Sequence, residues 1–350
     1  MTVPLRVAVL GAGGLGKAAC RIISRKRELK LVAMCDSHGV LYDPSGLPAE
    51  EIASYDRDLV TGYETAREAA MSEQGGVAIA TRTSTVAEAT DDGIGCVIEW
   101  AQVGAIDGVF CALPNLPNAF MPGVVRRFFE AGCSIVMTDA LKRTQAMELT
   151  LALDPLAKQA RAAYLTGCGA TPGLLTAAAV LAAQSFTTVE RVDIFWGVGI
   201  ANWEAYKATI REDIAHLPGY TIEQAQAMTD AEIEALLDHT NGILRLQQME
   251  HADDILLQRA GVVQRRDQVT VGGVMDTRHA KKPVSTTMTL TGTTFEGKRS
   301  SHRLILGDET SMAANVIGPA LGYLKRAHWL KSHGIYGVFG STEFMPMVVK

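Results

Sequence analysis

The sequence lacks the features that point to a membrane or to nucleic acid. No apolar run reaches the roughly 18 residues that cross a bilayer, and repeats and low-complexity tracts are absent. The 33 basic and 38 acidic residues are interleaved, and the net charge of −5 argues against nucleic acid or an anionic membrane as the main partner. We therefore expect a globular protein that binds small molecules.

The six cysteines also lack the spacing of a metal site. All lie in the first half of the chain, none has the CxxC or Cys/His spacing of a zinc site, and most sit in apolar runs. The N-terminal residues lead directly into an apolar strand, without the cationic and apolar regions of a signal peptide. We expect no metal, no disulfide and a cytoplasmic location.

A glycine-rich turn between an apolar strand and a helix is the first motif that is present. The strand covers residues 6–10 and the helical pattern covers 17–26. In dinucleotide-binding turns the first glycine makes the turn, the second admits the pyrophosphate and the third lets helix and strand pack, while the helix N-terminus offers amide donors. The expected cofactor-binding residues of this turn are Gly11, Gly13, Gly14, Leu15 and Gly16.

An acidic residue follows the second predicted strand, residues 29–35. Asp36 suits the ribose hydroxyls of NAD and would repel the extra phosphate of NADP. Ser37 and His38 could also accommodate that phosphate, so both cofactors stay open. Leu113, Pro114 and Asn115 follow a buried strand and are either further cofactor contacts or only a proline-terminated strand end.

The order of the predicted elements indicates an α/β fold. Six strand–helix units predict an N-terminal Rossmann dinucleotide-binding domain over residues 1–184, with an edge strand expected at Val77–Thr81. Residues 185–310 predict an α+β substrate and oligomerisation domain with an antiparallel sheet. Its helices are expected at 203–214, 222–237 and 242–259, where a capping box at Thr229 could restart the second. Residues 311–350 are expected to return to the first domain as a helix.

Lys142 follows a short apolar strand, and its side chain is the main catalytic candidate. Parallel strands present their carboxyl ends to ligands, and a lysine whose pKa is lowered can form a Schiff base. Arg143 could lower that pKa by like-charge repulsion or bind a substrate carboxylate. On composition alone, a solvated or helix-capping lysine is the commoner reading.

A second glycine-rich turn, residues 167–173, opens an alanine-rich helix at the same sheet edge. Its geometry suits an oxyanion or a carboxylate, with Thr171 expected as the helix N-cap and Cys168 and Gly169 as its neighbours in the site. Lys207 or Arg211 could bind a carboxylate, or their segment could be a plain domain junction.

Two histidines and one turn have simpler readings. His251 precedes two aspartates, but residues two apart on a helix do not face each other, so pairing with Asp253 is not expected. His216 is expected at the surface. Residues 307–310 are expected to cap the last helix.

Several of these segments together resemble the saccharopine-dehydrogenase-like proteins of cyanobacteria, which act in biotin biosynthesis. The resemblance rests on the first glycine turn, on residues 113–118, 139–144 and 166–173, and on residues 199–213, 249–254 and 307–312. It covers most of the chain and is weakest over residues 40–92, where extra residues occur.

The resemblance implies a reaction in which a lysine is consumed. The ε-amine of Lys142 would condense with the ketone of 8-amino-7-oxononanoate, and NAD(P)H would reduce the imine. Carbon dioxide or bicarbonate would carboxylate the nitrogen, hydride would return from the lysine side, and hydrolysis would leave an aldehyde at Lys142. His251 resembles the general acid/base, and a homo-oligomer is expected.

An ordinary multiple-turnover imine reductase of the saccharopine or carboxynorspermidine type is the alternative function. A dinucleotide sensor without catalytic activity is a third possibility. The sequence does not decide between NADH and NADPH, the oligomeric state or the residues that hold the substrate carboxylate.

Overall fold

Two β-sheets, each packed against helices, organise the chain in the computed structural model, which describes residues 3–56, 58–73, 84–201 and 203–350. The strands are β1 (Leu5–Leu10), β2 (Leu29–Cys35), β3 (Gly39–Tyr42), β4 (Val86–Ala89), β5 (Gly108–Cys111), β6 (Val136–Asp139), β7 (Ala163–Thr166), β8 (Thr188–Gly199), β9 (Ile243–Leu246), β10 (Val269–Asp276), β11 (Thr287–Thr293), β12 (Arg299–Ile305) and β13 (Gly337–Gly340). The helices are α1 (Gly14–Ile23), α2 (Ala49–Ile52), α3 (Leu59–Glu73), α4 (Gly93–Gln102), α5 (Phe120–Glu130), α6 (Thr144–Leu151), α7 (Asp154–Gln159), α8 (Leu174–Ala183), α9 (Lys207–Ile214), α10 (Ile222–Ala227), α11 (Asp230–His239), α12 (Asp253–Arg259) and α13 (Met312–Ser332).

The first sheet is a doubly wound sheet with the strand order β13-β7-β6-β5-β1-β2-β3-β4. Its strands from β13 to β2 are parallel, and β3 and β4 are added in antiparallel fashion. Near-continuous apolar runs form the parallel strands because helices cover both faces. The strand order reverses at β1, which is where such sheets bind ligands. The Rossmann-type prediction is confirmed.

The second sheet has the order β12-β11-β8-β10-β9 and is mixed rather than antiparallel. β8 pairs with β10 in parallel, whereas the other three pairs are antiparallel. The predicted antiparallel strands are confirmed at these three pairs, and the β8–β10 pair is a parallel addition. The chain between β8 and β10 contains α9 to α12 and β9, and such a long crossover lets it re-enter the sheet in the same direction.

The C-terminal part returns to the first sheet, where α13 packs on β5, β6 and β7 and β13 is added beside β7. Ser311 caps α13 by accepting a hydrogen bond from the amide of Ala314 at 3.1 Å, so the expected cap within residues 307–310 is wrong. Because β13 has only four residues, between glycines, the sequence did not reveal it. Within the described residues, no helix is both long and apolar enough to cross a membrane.

The helix expected over residues 242–259 is the clearest local error. Asn241 and Gly242 adopt φ values of 51° and 75°, the chain turns, and residues 243–246 pair with β10 before α12 begins. Burial of Leu244 and Leu246 in the sheet overrides the helical spacing. The capping box at Thr229 does restart a helix, α11, as predicted. The strand expected at Val77–Thr81 lies outside the described residues.

Candidate active site

The first glycine turn has the geometry that its spacing predicts. Gly11 has a φ of 99°, in the region that favours glycine. A Cβ atom on Gly16 would lie 1.9 Å from the carbonyl oxygen of Gly11, so this position needs close approach of helix and strand. A Cβ atom on Gly13 would meet nothing within 4 Å. Gly13 therefore faces open space, as a turn that admits a pyrophosphate requires.

That open space is a cleft of about 760 Å³ at the carboxyl edge of the first sheet. Tyr206 and Ala205 line it beside the turn, since a Cβ atom on Gly14 would lie within 2.8 Å of both. Of the ten residues expected to bind a cofactor, nine line the cleft. The tenth, Gly16, packs behind the turn. The nine are Gly11, Gly13, Gly14, Leu15, Asp36, Ser37, Leu113, Pro114 and Asn115.

Asp36 is held rigidly at this cleft. Its carboxylate accepts hydrogen bonds from the backbone amides of His38 at 2.8 Å, Gly39 at 3.0 Å and Leu59 at 2.8 Å. These bonds orient the carboxylate and also anchor the start of α3. The remaining acceptor capacity of its oxygens faces the cleft and fits a ribose hydroxyl.

A smaller cavity, about 120 Å³, lies between the two sheets and adjoins the cleft. Leu15 and Asn115 line both spaces. The polar lining of this cavity includes Lys142, Thr171, Asp213 and His251, and the rest is mainly apolar. We call it the lysine cavity. A small organic molecule bound there would lie beside whatever occupies the cleft.

Lys142 enters this cavity three residues after β6 and is paired with two buried carboxylates. Its Nζ atom lies 2.9 Å from Oδ1 of Asp213 and 3.3 Å from Oε2 of Glu212. Burial lowers the pKa of Lys142, but the charges of Asp213 and Glu212 outweigh it and raise that pKa above its ordinary value. The expectation that Arg143 leaves Lys142 with a lowered pKa is wrong, because the two carboxylates dominate.

Glu212 connects the lysine cavity to the cofactor cleft. Its Oε2 atom accepts a hydrogen bond of 2.9 Å from the side-chain amide of Asn115, which follows β5. Burial raises the pKa of Glu212, and the nearby charge of Lys142 opposes that change. Asn115 thus has a defined structural contact at the point where the two cavities meet.

Arg143 has partners of its own. Its guanidinium contacts Glu250 at 2.5 Å, Oδ1 of Asn118 at 2.8 Å and Nε2 of His216 at 3.1 Å. A guanidinium only donates hydrogen bonds, so Nε2 of His216 must accept and the imidazole is neutral. Burial, followed by the charges of Arg143 and Lys142, lowers the pKa of His216 to about 3. The expectation of a surface histidine is wrong.

His251 and Asp253 form a close pair, which was not expected from the sequence. Nδ1 of His251 lies 2.7 Å from Oδ2 of Asp253, and both side chains are buried. Residues two apart face different sides only within one helix, whereas α12 begins only at Asp253. The hydroxyls of Thr171 and Thr176 donate to the same carboxylate at 2.6 and 2.5 Å, which fixes its orientation.

Asp139, at the end of β6, organises the loops on either side of Lys142. Its carboxylate is fully buried and accepts hydrogen bonds from the amides of Leu141 at 2.8 Å and Gly167 at 2.7 Å. It also accepts from the hydroxyls of Tyr164 and Thr166. Asp139 therefore ties the Lys142 loop to the second glycine turn.

The second glycine turn contributes only part of its expected contacts. Gly169 and Thr171 line the lysine cavity. Gly173, with a φ of 125°, is the N-cap of α8, so the expected cap at Thr171 is wrong. Cys168 is fully buried in the hydrophobic core, where burial raises its thiol pKa. Arg211 bonds to Asp230 and to the backbone of residues 225–228, so the structure does not bring it to the cavity.

Sequence reasoning missed four carboxylates of this site, Glu212, Asp213, Asp139 and Asp253. Their side chains are almost completely buried. Acidic side chains are rarely buried unless they are paired, so four such residues at one site indicate a built polar network. Glu212 and Asp213 lie in a segment that carried the family resemblance, and this was the signal available for them.

Comparison with known proteins agrees with this fold. The family profile described as Glutamate/Leucine/Phenylalanine/Valine dehydrogenase matches residues 3–97. An engineered D-amino acid dehydrogenase bound to NADP+ is similar in structure, with a TM-score of 0.55 and 15% identity over 97% of this chain and 94% of that one. DAP dehydrogenase of C. glutamicum has a TM-score of 0.55 and 15% identity over 98% and 94% of the two chains. Saccharopine dehydrogenase (L-Glu forming) of Saccharomyces cerevisiae has a TM-score of 0.53 and 9% identity over 97% and 94%.

A curated relative provides the family assignment. The (S)-8-amino-7-oxononanoate synthase BioU of Haloferax mediterranei is 44% identical over 351 aligned positions, which cover 98% of this chain and 99% of the relative. Identity at this level over the full length includes both sheets and the connections between them. The chain belongs to the family of BioU, (S)-8-amino-7-oxononanoate synthase.

Proposed function

We propose that this protein acts in biotin biosynthesis on 8-amino-7-oxononanoate and that Lys142 supplies the transferred nitrogen in a single turnover. The relative named above supports the pathway and the substrate class. The observation that carries the proposal is the position of Lys142, which lines the lysine cavity, with its Nζ close to two buried carboxylates and next to the cofactor cleft.

NAD(P)H is the cofactor in this proposal. The first glycine turn fits the pyrophosphate because Gly13 is open to the cleft and Gly16 leaves no room for a Cβ atom. Asp36 fits the ribose, and Leu113 to Asn115 line the part of the cleft nearest the lysine cavity. A bound nicotinamide would supply hydride to reduce an imine and would accept hydride when the lysine carbon is oxidised.

In this proposal, the carboxylates beside Lys142 accept its proton. An ammonium ion cannot attack a ketone, so Lys142 must first lose a proton. Asp213, at 2.9 Å, is positioned to accept it, and Glu212, whose pKa is raised by burial, can share it. When the substrate enters, proton transfer within the ion pair would leave a neutral amine and a neutral carboxyl.

The bonds of the proposed reaction balance without another reactant. The Lys142 nitrogen forms an imine with the substrate ketone and water leaves, and reduction gives a secondary amine. Carbon dioxide or bicarbonate carboxylates that nitrogen, oxidation follows on the lysine side, and water cleaves the new imine. The product keeps the nitrogen as the 7-carboxyamino derivative of diaminononanoate, and Lys142 becomes an aldehyde.

We assign His251 the role of general acid and base for the addition and loss of water. It lines the lysine cavity, and its Nδ1 lies 2.7 Å from Oδ2 of Asp253. Gly169 and Thr171 remain proposed substrate contacts. Arg143 remains a proposed site residue that acts through its contacts with Asn118 and His216. Cys168 and Arg211 are no longer proposed.

The mass of the peptide that contains Lys142 tests the proposal. Protein incubated with 8-amino-7-oxononanoate, NAD(P)H and bicarbonate should convert Lys142 to the aldehyde, with one product molecule per chain. Lys142→Arg should give no product. Product formed while Lys142 stays unchanged would contradict the proposal. Omission of bicarbonate should stop the reaction before the aldehyde forms, which tests the carboxylation step.

A multiple-turnover imine reductase of the saccharopine or carboxynorspermidine type is the second candidate. The raised pKa of Lys142 favours it, because a stable ammonium ion could protonate a free imine without forming a covalent bond. Continuous NAD(P)H consumption that survives Lys142→Ala would support this candidate and exclude the first.

We further propose that residues 185–310, which hold the whole second sheet, form the substrate and oligomerisation domain of a cytoplasmic homo-oligomer. Phe195 and Ile305 both pair with Thr287, so they lie on one face of this sheet, and they are 42% and 56% exposed. Light scattering of the purified protein would test the assembly.

A further inference from the structure

A buried lysine without a carboxylate partner lies beside the lysine cavity. Lys282 is only 9% exposed, and its Nζ atom donates to the carbonyl of Gly307 at 2.8 Å and the hydroxyl of Thr310 at 3.3 Å. Among the residues that the structure describes, no carboxylate oxygen lies within 4.0 Å of this atom. Burying a cation without a counter-ion is costly, so the site is prepared for an anion.

The other cations near the cavity already have acidic partners. Lys142 pairs with Asp213 at 2.9 Å and Arg143 with Glu250 at 2.5 Å, whereas Lys282 has no carboxylate partner among the described residues. A carboxylate ligand would therefore have to displace an existing ion pair at these positions but not at Lys282.

Lys282 does not itself line the lysine cavity but lies at its edge, because its two partners belong to the turn of residues 307–310. Leu306 and Met312, on either side of this turn, line the cavity. Asn315, in the first turn of α13, also lines it, and its side chain makes no hydrogen bond to another described residue. The N-terminus of this 21-residue helix adds a partial positive charge on the same side.

We propose that Lys282, with Asn315, binds the carboxylate at the far end of the substrate chain. This inference rests on the proposed function, in which the ketone lies at Lys142. The stretch between the two ends suits a run of methylene groups because its lining is apolar, with Trp196, Val198, Met275, Leu306, Met312 and Val316. Lys282 would then fix the position of the substrate along the cavity, so that its ketone carbon contacts the Nζ atom of Lys142.

The test compares 8-amino-7-oxononanoate with its methyl ester, which lacks the negative charge. The substrate concentration that half-saturates the rate of Lys142 modification is measured in the wild type, in Lys282→Met and in Lys281→Met. Lys281 is the matched control because it is the exposed neighbour in sequence. We expect Lys282→Met to raise this concentration about 10- to 100-fold for the acid, the range of a lost charged hydrogen bond, and to leave it unchanged for the ester.

Two results would overturn the proposal. An equal loss with acid and ester would mean that Lys282 only supports the turn of residues 307–310. An unchanged value for the acid would mean that another group binds the carboxylate. Lys281→Met should behave as the wild type. If the half-saturating concentration of the acid in Lys282→Arg returns toward the wild-type value, the charge-based role is supported.

A binding measurement separates this proposal from the proposed function. Nonanoate has the chain and the carboxylate but no ketone, so it cannot react with Lys142. Calorimetry should show that nonanoate binds the wild type and Lys281→Met alike and binds Lys282→Met at least tenfold more weakly. Failure of the Lys142 chemistry with this binding pattern intact would refute only the reaction, whereas equal binding to all three proteins would refute the role of Lys282.

Discussion

The Nζ atom of Lys142 lies 2.9 Å from Oδ1 of Asp213, whose side chain is 1% exposed. The pair favours the charged form of the lysine, although the proposed reaction needs a neutral amine. Burial alone would favour the neutral form, but the carboxylates outweigh it. In the proposed reaction, Lys142 must therefore lose a proton before it can attack the ketone.

Replacing Asp213 should change the pH dependence of the Lys142 reaction. In Asp213→Asn one of the two charges that raise the pKa of Lys142 is lost, so the neutral amine should appear at lower pH. The pH profile of Lys142 modification should move down by about 1 to 3 pH units. Peptide mass spectrometry at a series of pH values measures it. Asp238→Asn, at an exposed residue, should leave the profile in place; an unmoved profile in Asp213→Asn would contradict the role of the pair.

His216 should make the protein sensitive to mild acid. Its pKa is lowered to about 3 in the folded state, so the unfolded chain, with an ordinary value near 6.5, binds the proton more readily. Stability from this group is present above about pH 6.5 and is lost as pH falls toward 3. Between pH 7.5 and 5 the loss should reach up to about 2 kcal/mol, and His216→Gln should remove it.

Urea unfolding at the two pH values measures this difference. Glutamine keeps an acceptor for Arg143 but does not titrate. His239→Gln serves as the control because His239 is exposed at the end of α11. The same acid-induced loss in the wild type and in His216→Gln would refute the assignment.

Alanine substitutions at two glycines of the first turn should have different effects, one on stability and the other on cofactor binding. Gly16→Ala places a Cβ atom 1.9 Å from the Gly11 carbonyl oxygen and should destabilise the fold by about 2 kcal/mol or more. Gly13→Ala meets no atom within 4 Å, so its free energy of unfolding should change by less than about 0.5 kcal/mol. Its NADH affinity should nevertheless fall, because the methyl group enters the cleft.

Fluorescence titration with NADH and urea unfolding measure the two effects. Gly123→Ala is the control, since a Cβ atom there also meets nothing within 4 Å. Gly123 lies in α5 and not in the glycine turn. Unchanged NADH affinity in Gly13→Ala would argue against a pyrophosphate at this position.

Asp139→Asn should destabilise the protein although it changes few atoms. The carboxylate accepts from two amides and two hydroxyls, and an asparagine would direct its own N–H groups at some of these donors. The cost should be about 1–3 kcal/mol for each buried group left unsatisfied, measured by urea unfolding. Asp267→Asn, at a residue 71% exposed, should be nearly neutral. A neutral Asp139→Asn would show that the network is not needed for stability.

Local patterns in the sequence predicted much of the first sheet. Apolar runs that end in a glycine turn or an acidic residue identify strands such as β1 and β2 because parallel strands are buried on both faces. The roles of Gly11, Gly13 and Gly16 follow from the backbone of one turn, so they too can be inferred locally. The strand β9 could not, since its residues have helical spacing and form a strand only because β10 is beside them.

The sequence by itself determined the Rossmann-type sheet, the glycine turn and the position of Lys142 just after a strand, because each depends on residues close together in the chain. Only the tertiary structure decided the chemistry of that lysine. Asp213 is 71 residues away and Lys282 is 140 away, and folding brings α9, which holds Asp213, to Lys142 and places Lys282 at the edge of the same cavity. The charge state of a buried amine depends on such neighbours, so its ion pair with Asp213 and Glu212 appears only in the folded chain.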